Sequence, residues 1–74
     1  GDVYKRQGIC IKEKTPGFYK VSLRSSENAD VSAIAQQFGG GGHARAAGCA
    51  FETTLEDAEK KIVWACAKAL GNQI

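Results

Sequence analysis

The chain has one histidine and three cysteines, and their number and spacing argue against several kinds of site. The three cysteines, Cys10, Cys49 and Cys66, stand far apart and form no Cys-x-x-Cys pair. An odd number with this spacing argues against both a disulfide framework and a zinc site. We expect them to be small buried hydrophobic residues in a reducing compartment. The single histidine, His43, stands among glycines, so no set of ligands for a two-metal hydrolase centre is expected.

Long apolar runs and large apolar side chains are also few. No run approaches the roughly 18 residues of a membrane span, and no signal peptide is visible, so we expect a soluble, cytoplasmic chain. Of the 74 residues, 43% are apolar, but eleven of these are alanines, which bury little area. A single domain of this length buries only about 60% of its unfolded surface. We therefore expect a docking partner, either a second domain or a second copy of the chain.

Charge is modest and unevenly placed. The net charge is +2, but residues 1–45 carry seven Lys/Arg against four Asp/Glu (+3), and residues 46–74 carry three against four (−1). A surplus this small suits a ligand with a few phosphates better than a long polyanion, which normally meets a denser basic stripe.

Alternating apolar residues predict three strands. Residues 8–14 alternate through Ile9 and Ile11, and residues 18–23 alternate through Tyr19 and Val21, with turn residues at 15–17 between them. A third, short apolar segment spans residues 47–51. The first two segments predict a β-hairpin or an adjacent pair of strands, and the third predicts the last strand.

Helical spacing predicts two helices. Asp30 is placed to cap a short helix with an apolar repeat from Val31 to Phe38, which Gly39 ends. A second helix over residues 54–70 follows a capping box that begins at Thr53, and Gly71 is its expected stop. The predicted fold is α/β, with a small sheet of about three or more strands packed with two helices, and a glycine-rich loop between the first helix and the last strand.

The glycine-rich run over residues 39–48 is the most distinctive segment. It holds five of the nine glycines together with His43 and Arg45. Glycine adopts positive φ angles at no steric cost and lets main-chain N–H groups approach an anion, while His43 and Arg45 add charged or neutral side-chain donors. The run therefore predicts an anion-binding site rather than a flexible linker, which is usually a glycine and serine mixture with polar flanks.

Two well-known phosphate-binding motifs do not fit this run. A Walker loop ends in Gly-Lys-Ser/Thr, whereas here Gly42 is followed by His43. A dinucleotide fingerprint follows a strand and opens a helix, whereas this run follows a predicted helix and leads into a strand. With the carboxylates on the second helix explained as a solvated face, we expect no catalytic residue in this chain.

A second candidate site lies at the end of the second predicted strand. Period-2 alternation sends Ser22 and Arg24 to the same face, and Ser25 follows directly. Guanidinium offers rigid bidentate donors to a phosphate, and the hydroxyls add adaptable ones. An ordinary surface arginine is the alternative, but a glycine run in so small a domain favours the anion site.

Residues 1–7 fit the predicted pattern poorly. We interpret them as a linker remnant or a non-native leader, and place the domain at residues 8–74.

Taken together, these segments resemble a known family. The strings at residues 22–25, 30–32, 34–35, 38–43 and 46–48 resemble the C-terminal DHH-associated domain of the DHH phosphoesterases, over roughly residues 8–70. The Ser-x-Arg-Ser string looks most like the branch of nano-RNases, 3′-phosphoadenosine 5′-phosphate (pAp) phosphatases and related cyclic-dinucleotide phosphodiesterases.

The resemblance implies a division of labour between two domains. In such enzymes an N-terminal domain carries the Asp-His-His motif and binds two divalent metal ions, usually manganese, while the C-terminal domain grips the substrate. It implies nucleotide or phosphate contacts for Arg24, for Gly40 to Gly42 and for His43, and more weakly for Arg45. No Asp-His-His segment is present, so we expect the chain to be one part of a longer polypeptide.

The sequence thus predicts the substrate-binding domain of a phosphoesterase acting on short oligoribonucleotides or pAp-like nucleotides. The expected partners are that substrate, the N-terminal catalytic domain and a second copy of the chain. Two alternatives stay open: a non-catalytic RNA-binding module like the domain appended to alanyl-tRNA synthetases, and a purely structural or dimerisation role.

Overall fold

Five antiparallel strands form one sheet in the order β1-β2-β3-β5-β4, and two helices cover one of its faces. The structure is a computed structural model, and it describes residues 2–6, 8–26 and 30–69. The elements in chain order are β1 (Asp2–Arg6), β2 (Ile9–Thr15), β3 (Phe18–Arg24), α1 (Val31–Gln36), β4 (Gly41–His43), β5 (Ala46–Glu52) and α2 (Leu55–Ala69). This confirms the α/β fold with two helices, and it adds two strands to the three that the sequence predicted.

Alternation along the central strands builds the core. Ile11 pairs in register with Val21, which pairs with Cys49, so one apolar layer crosses β2, β3 and β5. These residues are 8% exposed or less, and the helices contribute the other half of the same core with α1 residues Ile34 and Ala35 and with α2 residues Ala58, Ile62 and Ala65. The predicted turn joins β2 and β3, where Gly17 has a φ of +82°.

Helix α1 begins where the sequence predicted. The Asp30 carboxylate accepts hydrogen bonds from the N–H groups of Ser32 (2.9 Å) and Ala33 (3.4 Å), which satisfies donors that the first turn leaves unpaired. Chiefly because the Ser32 hydroxyl also donates to it, the pKa of Asp30 is lowered. Phe38 follows the helix and packs on Phe51 with ring centroids 5.0 Å apart.

Helix α2 begins one residue later than the predicted capping box. Thr54 is the capping residue, because its hydroxyl oxygen accepts from the Asp57 N–H at 3.1 Å. Thr53 instead donates its hydroxyl to the Asp57 carboxylate at 3.0 Å. Lys61 pairs with the same carboxylate at 2.9 Å and is the main reason why the pKa of Asp57 is lowered. The stop predicted at Gly71 lies outside the described residues.

The N-terminal segment belongs to the sheet. Sequence analysis gave residues 1–7 no strand, but Asp2–Arg6 form β1 and pair antiparallel with β2. Tyr4 explains the difference, because its half-buried ring packs against the core while Val3 and Lys5 are exposed on either side. The pattern is present but too short and too charged to stand out. The sheet therefore shows no break at residue 8, and the non-native origin of the segment stays a prediction.

None of the helices in the described part of the chain is long and apolar enough to cross a membrane.

Candidate functional site: the open face of the sheet

The two candidate segments predicted from the sequence lie on the same face of the sheet. Because side chains alternate, the neighbours of the core residues along each strand point away from the helices, and no described element packs against them. We call this surface the open face. It comprises Lys5 on β1; Cys10 and Lys12 on β2; Phe18, Lys20, Ser22 and Arg24 on β3; Ala46, Gly48, Ala50 and Glu52 on β5; and Gly41 and His43 on β4.

Arg24 and His43 share one row across the open face. Arg24 pairs with Ala46, and Ala46 pairs with His43, so Arg24 and His43 flank a single alanine. With neighbouring strands about 4.8 Å apart, their Cα atoms are roughly 10 Å apart. Both side chains are exposed, and neither makes an ion pair with another described residue. This spacing fits a phosphate held between them.

The adjacent row forms a low floor. Ser22 pairs with Gly48, which pairs with Gly41, so the strip beside Arg24 and His43 carries a hydroxyl and then two residues without side chains. A Cβ built on Gly41 would meet nothing within 4 Å. A ligand can therefore approach the backbone here closely.

The glycine-rich run divides into a connection and a strand. Gly39, with a φ of +81°, and Gly40 connect α1 to β4, whereas Gly41–His43 pair with β5. The Gly40 N–H donates to the Ala35 carbonyl at 2.9 Å, and a Cβ on Gly40 would overlap the Gly48 carbonyl oxygen. Gly40 therefore serves close packing of the backbone, and its N–H is used within the fold.

Gly42 directs its main-chain groups to the edge of the sheet. The Arg24 N–H donates to the Gly8 carbonyl at 2.9 Å, away from β5. Because Arg24 bonds away from Ala46, the main-chain groups of Ala46 point to the other side, towards His43. The bonding direction alternates along an antiparallel strand, so the neighbouring residue of β4, Gly42, turns its N–H away from β5. Its φ is +144°, and an added Cβ would lie only 2.6 Å from the Cα of Ala47, so only glycine fits here.

Ser25 and Arg45 lie where the β4–β5 turn meets the end of β3. The Ser25 hydroxyl donates to the Ala44 carbonyl at 3.2 Å, and its N–H donates to the Arg45 carbonyl at 3.1 Å. The Val31 N–H also donates to the Ala44 carbonyl, at 3.0 Å. These bonds hold the turn that positions His43, so Ser25 supports the site through the backbone. Arg45 is exposed in the turn, close enough to Asp30 for its charge to help lower that carboxyl's pKa.

Two open depressions on this face meet at Ser22. One, of about 440 Å³, is lined by Lys20, Val21, Ser22, Gly39, Gly40, Gly48, Cys49 and Ala50. The other, of about 480 Å³, lies on the β1 side and is lined by Lys5, Gly8, Ile9, Cys10, Lys12, Ser22 and Arg24. Both volumes lie in the range of small-ligand sites.

Sequence analysis missed the lysines of the open face. Lys20 lies two residues before Ser22 on β3, so the alternation that paired Ser22 with Arg24 also placed Lys20 beside them. Lys12 pairs in register with Lys20, so its place on the open face could be predicted only from the register of the β2–β3 hairpin. Lys5 was missed because β1 was missed. Glu52, the last residue of β5, places a carboxylate on the open face.

The three cysteines lie on three different elements of the fold, and two of them have raised pKa values. No group of three His, Cys, Asp or Glu residues in the described part of the chain could hold a metal ion. Cys49 is buried, Cys10 and Cys66 are half-buried, and all three are reduced cysteines. Burial, with a smaller contribution from Cys66, raises the pKa of Cys49 to about 11, and burial also raises the pKa of Cys66. Neither thiol is therefore activated as a nucleophile.

Comparison with protein families identifies the domain. The family model of the DHHA1 domain matches residues 4–72, which is nearly the whole chain and begins within β1. No curated protein matches the chain. The matched range includes the open face with both predicted segments. The chain therefore belongs to the DHHA1 family, the DHH-associated accessory domains of the DHH phosphoesterase superfamily.

Proposed function

We propose that this chain is the substrate-binding domain of a DHH-type phosphoesterase that hydrolyses short oligoribonucleotides or pAp-like nucleotides. The family match supports the accessory role, and the Ser-x-Arg-Ser string at residues 22–25 is the feature that favours this branch.

One observation carries the proposal: Arg24 and His43 lie in a single row on a face that no described element covers. An exposed guanidinium with no ion-pair partner among the described residues can form paired, charge-assisted hydrogen bonds with a phosphate. His43, roughly 10 Å away across two strand spacings, supplies a second donor or a ring on which a base can stack. In this arrangement the phosphate lies above Ala46.

The small residues explain why a nucleotide can reach these side chains. Gly41 and Gly48 keep the floor low, and the Ser22 hydroxyl offers a donor or an acceptor beside Arg24. The Gly42 N–H at the sheet edge is the main-chain donor of the run that points away from β5. Ser25 and Gly40 act by holding the turn and the connection, and Arg45 adds positive charge at the end of the sheet.

Hydrolysis in this proposal belongs to the Asp-His-His domain of the parent protein. Two divalent metal ions, manganese by family resemblance, would supply the activated water there. The described residues of this chain contribute binding and orientation of the substrate. The purified chain should therefore bind a short RNA weakly and hydrolyse no phosphodiester when manganese is added.

The binding test uses 5′-phosphorylated diadenylate (pApA) and isothermal titration calorimetry. Arg24→Ala should weaken binding by about 1.5–3 kcal/mol, the cost of losing hydrogen bonds to a charged group. His43→Ala should weaken it as well. Lys60→Ala removes an exposed cation from α2 and is the matched control. An unchanged dissociation constant in Arg24→Ala would return this residue to the class of ordinary surface arginines.

Salt dependence separates this proposal from an RNA-binding module for long strands. For single-stranded nucleic acid, the slope of log K against log salt is about −0.7 per phosphate neutralised. A clamp for short substrates should give a slope with a magnitude of about one to two whatever the RNA length. A slope that grows with RNA length would favour the polymer-binding alternative.

A further inference from the structure

The depression on the β1 side of Arg24 lies outside the two predicted segments and is bordered by three cationic residues. Lys5 from β1 and Lys12 from β2 form one side, and Arg24 from β3 forms the other. Cys10 and Ser22 form its floor, where Lys5, Cys10 and Ser22 share one row across the three strands. The depression is therefore built from three strands, including the N-terminal one.

We propose that this depression binds a second phosphate group of the same nucleotide ligand, held by Lys5 and Lys12. We name it the β1 subsite. The inference rests on the proposed function, because the first phosphate lies between Arg24 and His43, and it adds a requirement to the ligand. That ligand carries two phosphate groups separated by a nucleoside.

The spacing of the strands supports two separate phosphate positions. From His43 on β4 to Lys12 on β2 the sheet order crosses three strand spacings, or roughly 14 Å, and Lys5 lies one strand further. Arg24 stands between these positions. His43, Lys5 and Lys12 also lie in three different rows of the sheet, so one phosphate cannot contact both ends of this surface, whereas a ligand with two separated phosphates can.

The charge pattern supports an anionic occupant. Lys12 is exposed and lies opposite Lys20, and like charges directly opposite each other destabilise a pair of strands. An anion between these strands relieves that repulsion. On its other side, Lys12 pairs in register with Asp2 of β1. The experiment therefore includes a variant that removes the charge of Asp2.

The size and floor of the depression fit a phosphate with its sugar. Its volume of about 480 Å³ exceeds the needs of a phosphate group alone. Ser22 lines this depression and the neighbouring one, so a sugar passing from one phosphate position to the other crosses above this residue. The floor presents no described carboxylate to repel the ligand.

The experiment compares two ligands on the intact chain by NMR titration extended to millimolar concentrations. The ligands are pApA, with two phosphates, and adenosine 5′-monophosphate, with one. Lys5→Ala and Lys12→Ala should each weaken pApA binding by about two- to fivefold, the range of exposed ion pairs, and leave monophosphate binding unchanged. Lys14→Ala, which removes an exposed lysine of β2 outside the depression, is the matched control. Asp2→Asn should bind pApA at least as tightly as the unaltered chain.

Salt dependence gives an independent measurement of the same contact. The slope of log K against log salt for pApA should fall in magnitude by about 0.7 in the double variant of Lys5 and Lys12, because one phosphate loses its neutralising charge. Equal losses for both ligands, or no loss in either variant, would overturn the β1 subsite. A loss of all binding in Arg24→Ala with no selective effect of the lysines would keep the proposed function and reject the subsite. Binding that is insensitive to Arg24→Ala would reject the proposed function.

Discussion

The glycines of β4 allow a sharp separation of ligand binding from fold stability. In the sequence, Gly41 and Gly42 are alike, because both belong to the glycine-rich run that is expected to approach an anion. The structure distinguishes them. A Cβ on Gly41 meets no atom within 4 Å, whereas one on Gly42 lies 2.6 Å from the Cα of Ala47 and 2.7 Å from the Ala46 carbonyl oxygen. Gly42 also has a φ of +144°, which L side chains rarely adopt.

The expected magnitudes differ accordingly. Gly41→Ala should leave the free energy of unfolding unchanged or raise it by up to about 1 kcal/mol, because alanine restricts the unfolded chain. Its methyl group stands on the open face in the row of Ser22 and should weaken pApA binding about tenfold, or about 1.4 kcal/mol. Gly42→Ala should lower the free energy of unfolding by about 1–3 kcal/mol, because backbone strain adds to the clash with β5.

The assay pairs urea unfolding with calorimetric titration of pApA. Gly17→Ala is the matched control, since Gly17 also has a positive φ, +82°, but lies in the turn between β2 and β3, outside the depressions. It should lose stability and retain affinity when measured well below its unfolding transition. If Gly41→Ala binds pApA as tightly as the unaltered chain, the low floor of the open face has no role in binding.

Three further predictions concern the parts of the fold around the site. Thr54→Ala should lower the free energy of unfolding by about 1 kcal/mol and Thr53→Ala by less, measured in urea, because Thr54 is the residue that caps α2. Burial raises the pKa of Cys49 to about 11, so between about pH 9 and pH 11 the thiol ionises in the unfolded chain but not in the folded one. The free energy of unfolding should therefore fall over this pH range, and Cys49→Ala should reduce that fall. Trp64 is 62% exposed, and the Lys68 ammonium lies 4.7 Å from its ring centroid. Its fluorescence emission should be red-shifted, and Lys68→Ala should increase its quenching by acrylamide. A blue, quencher-resistant emission would contradict the exposed position.

Residues with a clear period were predicted well. The apolar alternation of β2 and β3, the cap at Asp30 and the buried stripe of α2 all follow from local spacing, and each is present. The same helical geometry places Trp64 away from the buried stripe of α2, and this residue is 62% exposed. In these segments local preference and tertiary packing agree, so the sequence alone suffices.

The two added strands show where local reasoning stops. β4 consists of Gly41, Gly42 and His43, residues that carry no strand preference of their own. They form a strand because β5 offers its edge and the turn at residues 44–45 returns the chain along it. β1 depends in the same way on the edge of β2, with Tyr4 as its contact with the core. Neither pairing partner can be read from the segment itself.

The candidate site depends on those pairings more than on the motifs. The motifs selected Arg24 and His43 separately, in segments far apart along the chain, and only the register Arg24–Ala46–His43 brings them into one row. The same register identifies Gly48 as part of the floor, and the bonds at the turn identify Ser25 as its support. Because a shift of one residue in β4 would turn His43 to the helix side of the sheet, the bond pattern that holds the β4–β5 turn determines which residues can meet a ligand. The Ser25 hydroxyl bond to the Ala44 carbonyl is thus a part of the site although it touches no ligand in this arrangement.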